Sequence, residues 1–195
     1  MSGPGDATSP PAGPGPEAVG SDAGYTRVAP QVIRDGARVI GFLTVSGKRR
    51  PVPLTELLER LAQGLAAFGN KDVAFIPTWN EWVPIGDAPS GADGAHLMSV
   101  REVHPRVIRV TPAACQESLA AAQALTRTLT ILSKDFAQVL VNLDGYAPAG
   151  RAPTATELVE TVGLMVATRR ARLRDVSAIA DQIPASKHLG AVLLG

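Results

Sequence analysis

From Tyr25 onward, short uninterrupted apolar runs alternate with longer segments in which apolar residues recur every three or four positions. The runs have strand length: Arg38 to Thr44, Asp72 to Pro77, Arg106 to Val110, Ala137 to Leu143, Gly163 to Ala167 and Leu189 to Leu194. Continuous aliphatic runs without polar alternation predict strands buried on both faces, the condition of a parallel sheet covered by helices. Between them, Pro53 to Phe68 places Leu54, Leu57, Leu58, Leu61, Leu65 and Phe68 on one helical stripe, with Pro53 near the first turn and Gly69-Asn70 as the stop. A second helix is predicted over Pro112 to Ser133, striped by Leu119, Ala122, Leu125, Leu129 and Leu132. A third runs from Ala171 to Ile183, ahead of Pro184. The alternation predicts a doubly wound α/β fold: one mostly parallel sheet of about five to seven strands, helices on both faces, and binding sites at the carboxyl ends of the strands. The Pro/Gly-rich stretch from Pro84 to Gly94 reads either as a lid or as plain disorder.

Residues 1–24 are Gly, Pro, Ala, Ser and acidic residues without apolar periodicity. Such a segment cannot offset the entropy of ordering it and is predicted to be a disordered tail. Residues 25–195 then form a single domain. With 45% hydrophobic residues, nineteen Lys and Arg and eighteen Asp and Glu, the net charge is +1, so no basic field announces a nucleic-acid partner. Cys115 is the single cysteine, which excludes an internal disulfide and a Cys-rich metal site and fits a reducing compartment; its default role is a small buried hydrophobe. His96, His104 and His188 share no metal-binding spacing. No signal-peptide pattern opens the chain and no run of about 18 apolar residues occurs, so a cytoplasmic protein is expected, peripheral to the inner membrane only through a partner.

Candidate chemistry concentrates at the first strand-to-helix turn, Thr44-Val45-Ser46-Gly47-Lys48-Arg49-Arg50-Pro51-Val52-Pro53, because a helix N-terminus there can hold phosphate with free amides. The arrangement VIGFLTVSGKRRPVPLTELLERLAQGLAAFGNKDVAFIP, then DFAQVLVNLDGYAP, then VGLMVATRRARLRDVSAIADQIPASKHLGAVLLG resembles the MinD/ParA superfamily of P-loop ATPases. Within it, the tyrosine-kinase domains of bacterial capsule and exopolysaccharide systems are the most similar. The resemblance follows the order of elements from Arg38 to Gly195. It implies a P-loop NTPase fold, and ATP with magnesium as cofactors if the site is active.

The motifs themselves are eroded. A working P-loop needs glycines, a Lys on the phosphates and a Ser or Thr hydroxyl on magnesium. Gly47-Lys48 remains, Arg49 stands at the expected hydroxyl, and Pro51 and Pro53 remove amide donors from the turn. The second strand ends at Pro77 without an aspartate. On the fourth, Asn142 occupies the expected acidic position, with Asp144 two residues on as a substitute ligand or as a turn residue before Gly145. Lys48, Arg49 and Arg50 read as an anion site or as a solvated basic loop. The expectation is a non-catalytic pseudo-ATPase or pseudo-kinase without cofactor; the alternative is an active ATPase or tyrosine kinase with an atypical P-loop. A dinucleotide enzyme gains no support, because no G-x-G-x-x-G follows the first strand.

Two further clusters suit an interface at the same sheet edge: Trp79, Glu81 and Trp82 after the second strand, and Arg169, Arg170, Arg172 and Arg174 after the fifth. Trp and Arg anchor interfaces; the plainer readings are a ring packed on the domain edge and a solvated helix start. The resemblance implies a protein partner: an active paralogue, a membrane protein of an export system, or a second copy in a homodimer.

Overall fold

In the computed structural model, residues 32, 36–45, 53–78, 83–84, 98–114, 118–144, 156–168 and 171–194 are described. The apolar runs become β1 (Val39–Val45), β2 (Val73–Ile76), β5 (Val107–Ala114), β6 (Gln138–Asn142), β7 (Thr161–Ala167) and β8 (His188–Leu194). All six pair in parallel, in the order β5-β2-β6-β1-β7-β8. Two more strands extend the β5 edge. Here β3 (Val83–Pro84) pairs in parallel with Ala113 and Ala114, and β4 (Met98–His104) pairs antiparallel with β5.

Among the described residues the sheet therefore has eight strands where about five to seven were expected. The pattern missed β4 for a physical reason. Its Met-Ser-Val-Arg-Glu-Val-His sequence is mostly exposed, the polar character of an edge strand that must not recruit another chain. Pro112 lies inside β5, opposite Met98 at the start of β4, where the ladder is ending and a missing N–H costs little. The following helix accordingly begins at Ser118 instead of Pro112.

Among the described residues three helices cover the sheet: α1 (Leu54–Gly69), α2 (Ser118–Asp135) and α3 (Leu173–Ala180). The two-residue period of the strands sorts the core into two layers. Ile40, Phe42, Phe75, Leu140 and Met165 meet Leu58, Leu61 and Leu65 of α1, with Val32 packed into the same layer. On the other face Val39, Leu43, Val45, Val139, Val141 and Val166 meet Leu125, Leu129 and Leu132 of α2, with Val176 and Ile179 of α3 packed alongside. The α1 stripe is narrower than its spacing suggested, because Phe68 in the last turn is 55% exposed. Asn70 ends α1 in the left-handed conformation.

The connections reverse at β1. From β1 the chain crosses over α1 to β2, on the far side of β6; from β6 it returns past β1 to β7. Such a reversal opens a crevice at the carboxyl ends of the central strands. Among the described residues no helix is long and apolar enough to cross a membrane. Residues 1–24 and 85–94 lie outside the described residues.

Candidate functional site

In the parallel β1/β6 pair, Phe42 stands opposite Asn142, so the next step along each chain brings Thr44 and Asp144 together beyond the strand ends. Both oxygens of the Asp144 carboxylate are engaged there. Oδ1 accepts the Thr44 backbone N–H at 2.9 Å, and Oδ2 accepts the Thr44 hydroxyl at 2.6 Å. Just beyond β2, the Thr78 hydroxyl donates to the Asp144 carbonyl at 2.8 Å. Asn142 is 2% exposed. Its Oδ1 accepts the Asp144 N–H at 2.9 Å, and its Nδ2 donates to the hydroxyl of Thr55, the second residue of α1, at 3.4 Å. The tips of β1, β2 and β6 and the start of α1 are thus stitched into one polar network. Burial pushes the Asp144 carboxyl above its ordinary range, and the hydrogen bonds from the Thr44 hydroxyl and N–H offset part of that.

Magnesium requires near-octahedral hard oxygen ligands. The residues described at these strand tips do not fit it. Asp144 is the one carboxylate of the network, and Thr44 spends a hydrogen on each of its oxygens. At the end of the same strand the neutral Asn142 amide, which carries no charge for a cation, donates to the Thr55 oxygen. What the arrangement does perform is structural: it fixes the ends of β1 and β6 against each other and against the helix start.

The sequence candidates divide sharply. Asp144 is at the site, acting as a partner for Thr44. Gly47 and Lys48 lie outside the described residues, as do Arg49, Trp79, Glu81, Trp82, Arg169, Arg170, His96 and Cys115. The expected hydroxyl position moves. Because α1 begins at Leu54, six residues after Lys48, the hydroxyl in the first helical turn belongs to Thr55 and not to the Arg49 position. Leu54 itself is a buried core residue, 3% exposed. Pro53 precedes the helix, and its carbonyl receives the Leu57 N–H at 3.1 Å. Arg172 is exposed at the N-terminal boundary of α3, its N–H donating to Asp175 at 3.4 Å. Arg174 pairs with Asp175 at 3.6 Å on the surface, a contact of little energetic weight. Thr44, Thr55 and Thr78 were not singled out from the sequence. Their available signal was positional: a threonine at each of two strand ends and one in the first turn of the intervening helix.

A doubly wound sheet whose winding reverses at β1, with its polar network at the strand tips, defines a mostly parallel, Rossmann-like α/β fold that solved kinase domains share. More particularly, it is the fold of bacterial tyrosine-kinase domains. The chimerical protein CapA2B2 superposes with a TM-score of 0.60 at 12% identity, over 87% of this chain and 82% of that one. The BceF tyrosine kinase domain gives 0.59 at 15% identity, over 88% and 74%. The VpsO kinase domain gives 0.56 at 12% identity, over 88% and 93%. No protein-family model matches the sequence, and no curated protein matches it.

Proposed function

We propose that this chain is a non-catalytic relative of the kinase-type P-loop fold, a pseudo-ATPase or pseudo-kinase acting as a protein-binding regulatory or adaptor subunit. The observation that carries the reading is the internal use of the strand-tip polar groups: Thr44 donates to both Asp144 oxygens, and an amide at position 142 donates to the Thr55 hydroxyl. A site that spends its carboxylate and its hydroxyl on holding itself together has little left for a metal-bound triphosphate. The early prolines Pro51 and Pro53 add to this by removing amide donors from the turn. The tyrosine-kinase neighbours support a setting in bacterial polysaccharide, envelope or positioning systems; in this reading the chain is cytoplasmic and meets the membrane only through a partner.

The partner surface in this reading is the same edge of the sheet, where Trp79, Glu81, Trp82, Arg169, Arg170 and Arg172 follow β2 and β7. The exposed Arg172 is the described part of it. The partner is a protein: an active paralogue, an export-system membrane protein or a second copy.

One observation favours the alternative, an active ATPase or kinase with an atypical loop. Thr55 places a hydroxyl in the first turn of α1, where the chemistry needs one. Calorimetric titration separates the two. With ATP and magnesium the proposed reading expects no saturable heat up to about 1 mM, the equivalent of about 4 kcal/mol. Low-micromolar binding that is lost in Thr55→Ala and Lys48→Ala would overturn it and establish the alternative.

A further inference from the structure

At the end of the sheet away from the strand-tip network, a cavity of about 800 Å³ opens where β1, β2, β5 and β6 begin. Each of these neighbouring parallel strands is entered past a cation that lines the cavity. Arg38 stands directly before β1, Lys71 shortly before β2, Arg106 directly before β5, and Lys134 in the last turn of α2, ahead of β6. Among the described residues no carboxylate forms an ion pair with any of the four. Asp72 and Asp135, each following a lysine in sequence, line the same cavity, and Leu65 and Phe136 add apolar surface.

The backbone is an independent pointer to this place. Arg106 holds φ 66° in the Pro105-Arg106 turn between β4 and β5, a conformation that suits glycine and strains a residue with a Cβ. Asn70, at φ 50°, is the other non-glycine residue in that region among the described ones. Both line the cavity, and Arg106 Nη1 donates to Asn70 Oδ1. Strained non-glycine residues cluster where side chains act on ligands. A guanidinium has five N–H donors, so the Asn70 bond leaves Arg106 most of its own to offer. Lys134 also suits the dipole at the end of α2, an explanation that does not extend to Arg38 and Arg106 at the strand entries.

We infer that this cavity binds a small phosphorylated polyol, the chemistry shared by sugar phosphates and nucleotides. Guanidinium and ammonium groups hold the phosphate. An ionised carboxylate only accepts hydrogen bonds, so Asp72 and Asp135 select a ligand that carries hydroxyl donors beside its anion, and they repel a bare anion. The volume falls in the range of small-molecule sites, about 300–1,000 Å³. The inference is independent of whether the strand-tip network binds nucleotide.

The test is titration of the full chain, without magnesium, with inorganic phosphate, glucose 6-phosphate and AMP, followed by amide chemical shifts. Glucose 6-phosphate or AMP is expected to saturate, with shifts centred on Lys71, Arg106 and Lys134, and the tighter of the two names the source. Arg106→Gly relieves the backbone as it removes the cation; it is expected to weaken that binding about tenfold, with Tm within a few degrees of wild type. Combining Asp72→Ala with Asp135→Ala moves the ligands in opposite directions, weakening the phosphorylated polyol and tightening inorganic phosphate. No saturation up to about 10 mM, shifts centred on Thr44, Thr55 and Asp144, or a carboxylate variant that binds all three ligands as wild type does, overturns the site. Should Arg106→Gly not fold, Lys71→Met combined with Lys134→Met carries the same expectation, and unchanged affinity there overturns the inference too.

Discussion

The Thr44–Asp144 contact is open to a direct energetic test by Thr44→Val, which preserves the shape of the side chain, keeps the backbone N–H bond at 2.9 Å and deletes only the 2.6 Å hydroxyl bond. A hydrogen bond to a charged group contributes about 1.5–3 kcal/mol, and its loss leaves a largely desolvated carboxylate oxygen short of a donor. Asp144 keeps some exposure, which moves the expectation to about 2 kcal/mol. For a domain of this size that corresponds to a fall of about 4–8 °C in Tm. With a urea slope of about 2 kcal/mol/M, the midpoint shifts down by about 1 M. A cycle of Thr44→Val, Asp144→Ala and the double variant isolates the pair, with an expected coupling of about 1–2 kcal/mol.

The pH dependence provides a second readout. Burial raises the folded pKa of Asp144 above its unfolded value, so the stabilisation associated with its proton is present at low pH and is lost as pH rises through the raised folded value. Thr44→Val removes a hydrogen bond that holds that value down, and so raises it further. The gap between wild type and variant is therefore smallest in acid and widens with pH until Asp144 is ionised in both folded proteins. A Thr44→Val protein within about 0.5 kcal/mol of wild type at neutral pH, or single penalties that simply add in the double variant, would refute the network.

Two substitutions check the core around it. In Gly163→Ala the new Cβ would sit 2.7 and 2.9 Å from Phe42 Cε1 and Cδ1, so an overpacking loss of about 1–3 kcal/mol is expected in urea unfolding, and an unchanged midpoint would show that the ring yields freely. Thr161→Val should act in the other direction: its hydroxyl is buried without a partner among the described residues, and replacing it by a methyl of the same shape is expected to stabilise by about 1 kcal/mol, readable as a raised Tm.

The strands of the central sheet were legible because burial on both faces leaves a continuous apolar run. Val39 at 7% and Ile40 at 0% exposure look to opposite layers, and neither can be polar. That logic fails at the edge. Only one flank of β4 is paired, its side chains are largely solvated, and the resulting sequence carries Arg101, Glu102 and His104 as protection against recruitment instead of an apolar signature. Periodicity likewise located α1, placing Pro53 near its first turn, and the helix begins at Leu54. Counting the hydroxyl from Lys48 then led to Arg49. The helix begins only at Leu54, which packs into the core, and that sets Thr55 beside Asn142.

Asp144 shows why a strand-tip acid is ambiguous in sequence. Its position just past β6 is what a metal ligand needs, and it is equally what a residue needs to tie β6 to its neighbour. The deciding partner, Thr44, is 100 residues away, and no local pattern records it. The same holds for Asn142: an amide in place of a carboxylate reads as the loss of a ligand, yet only the fold reveals that it acquires a donor hydrogen directed at Thr55 and an acceptor for the Asp144 N–H. A carboxylate at 142 could accept the Asp144 N–H but could offer Thr55 no proton, and it would set a second negative charge beside Asp144, whose ionised form burial already disfavours. Without a cation to neutralise the pair, the amide is the residue that lets these strand tips close on themselves.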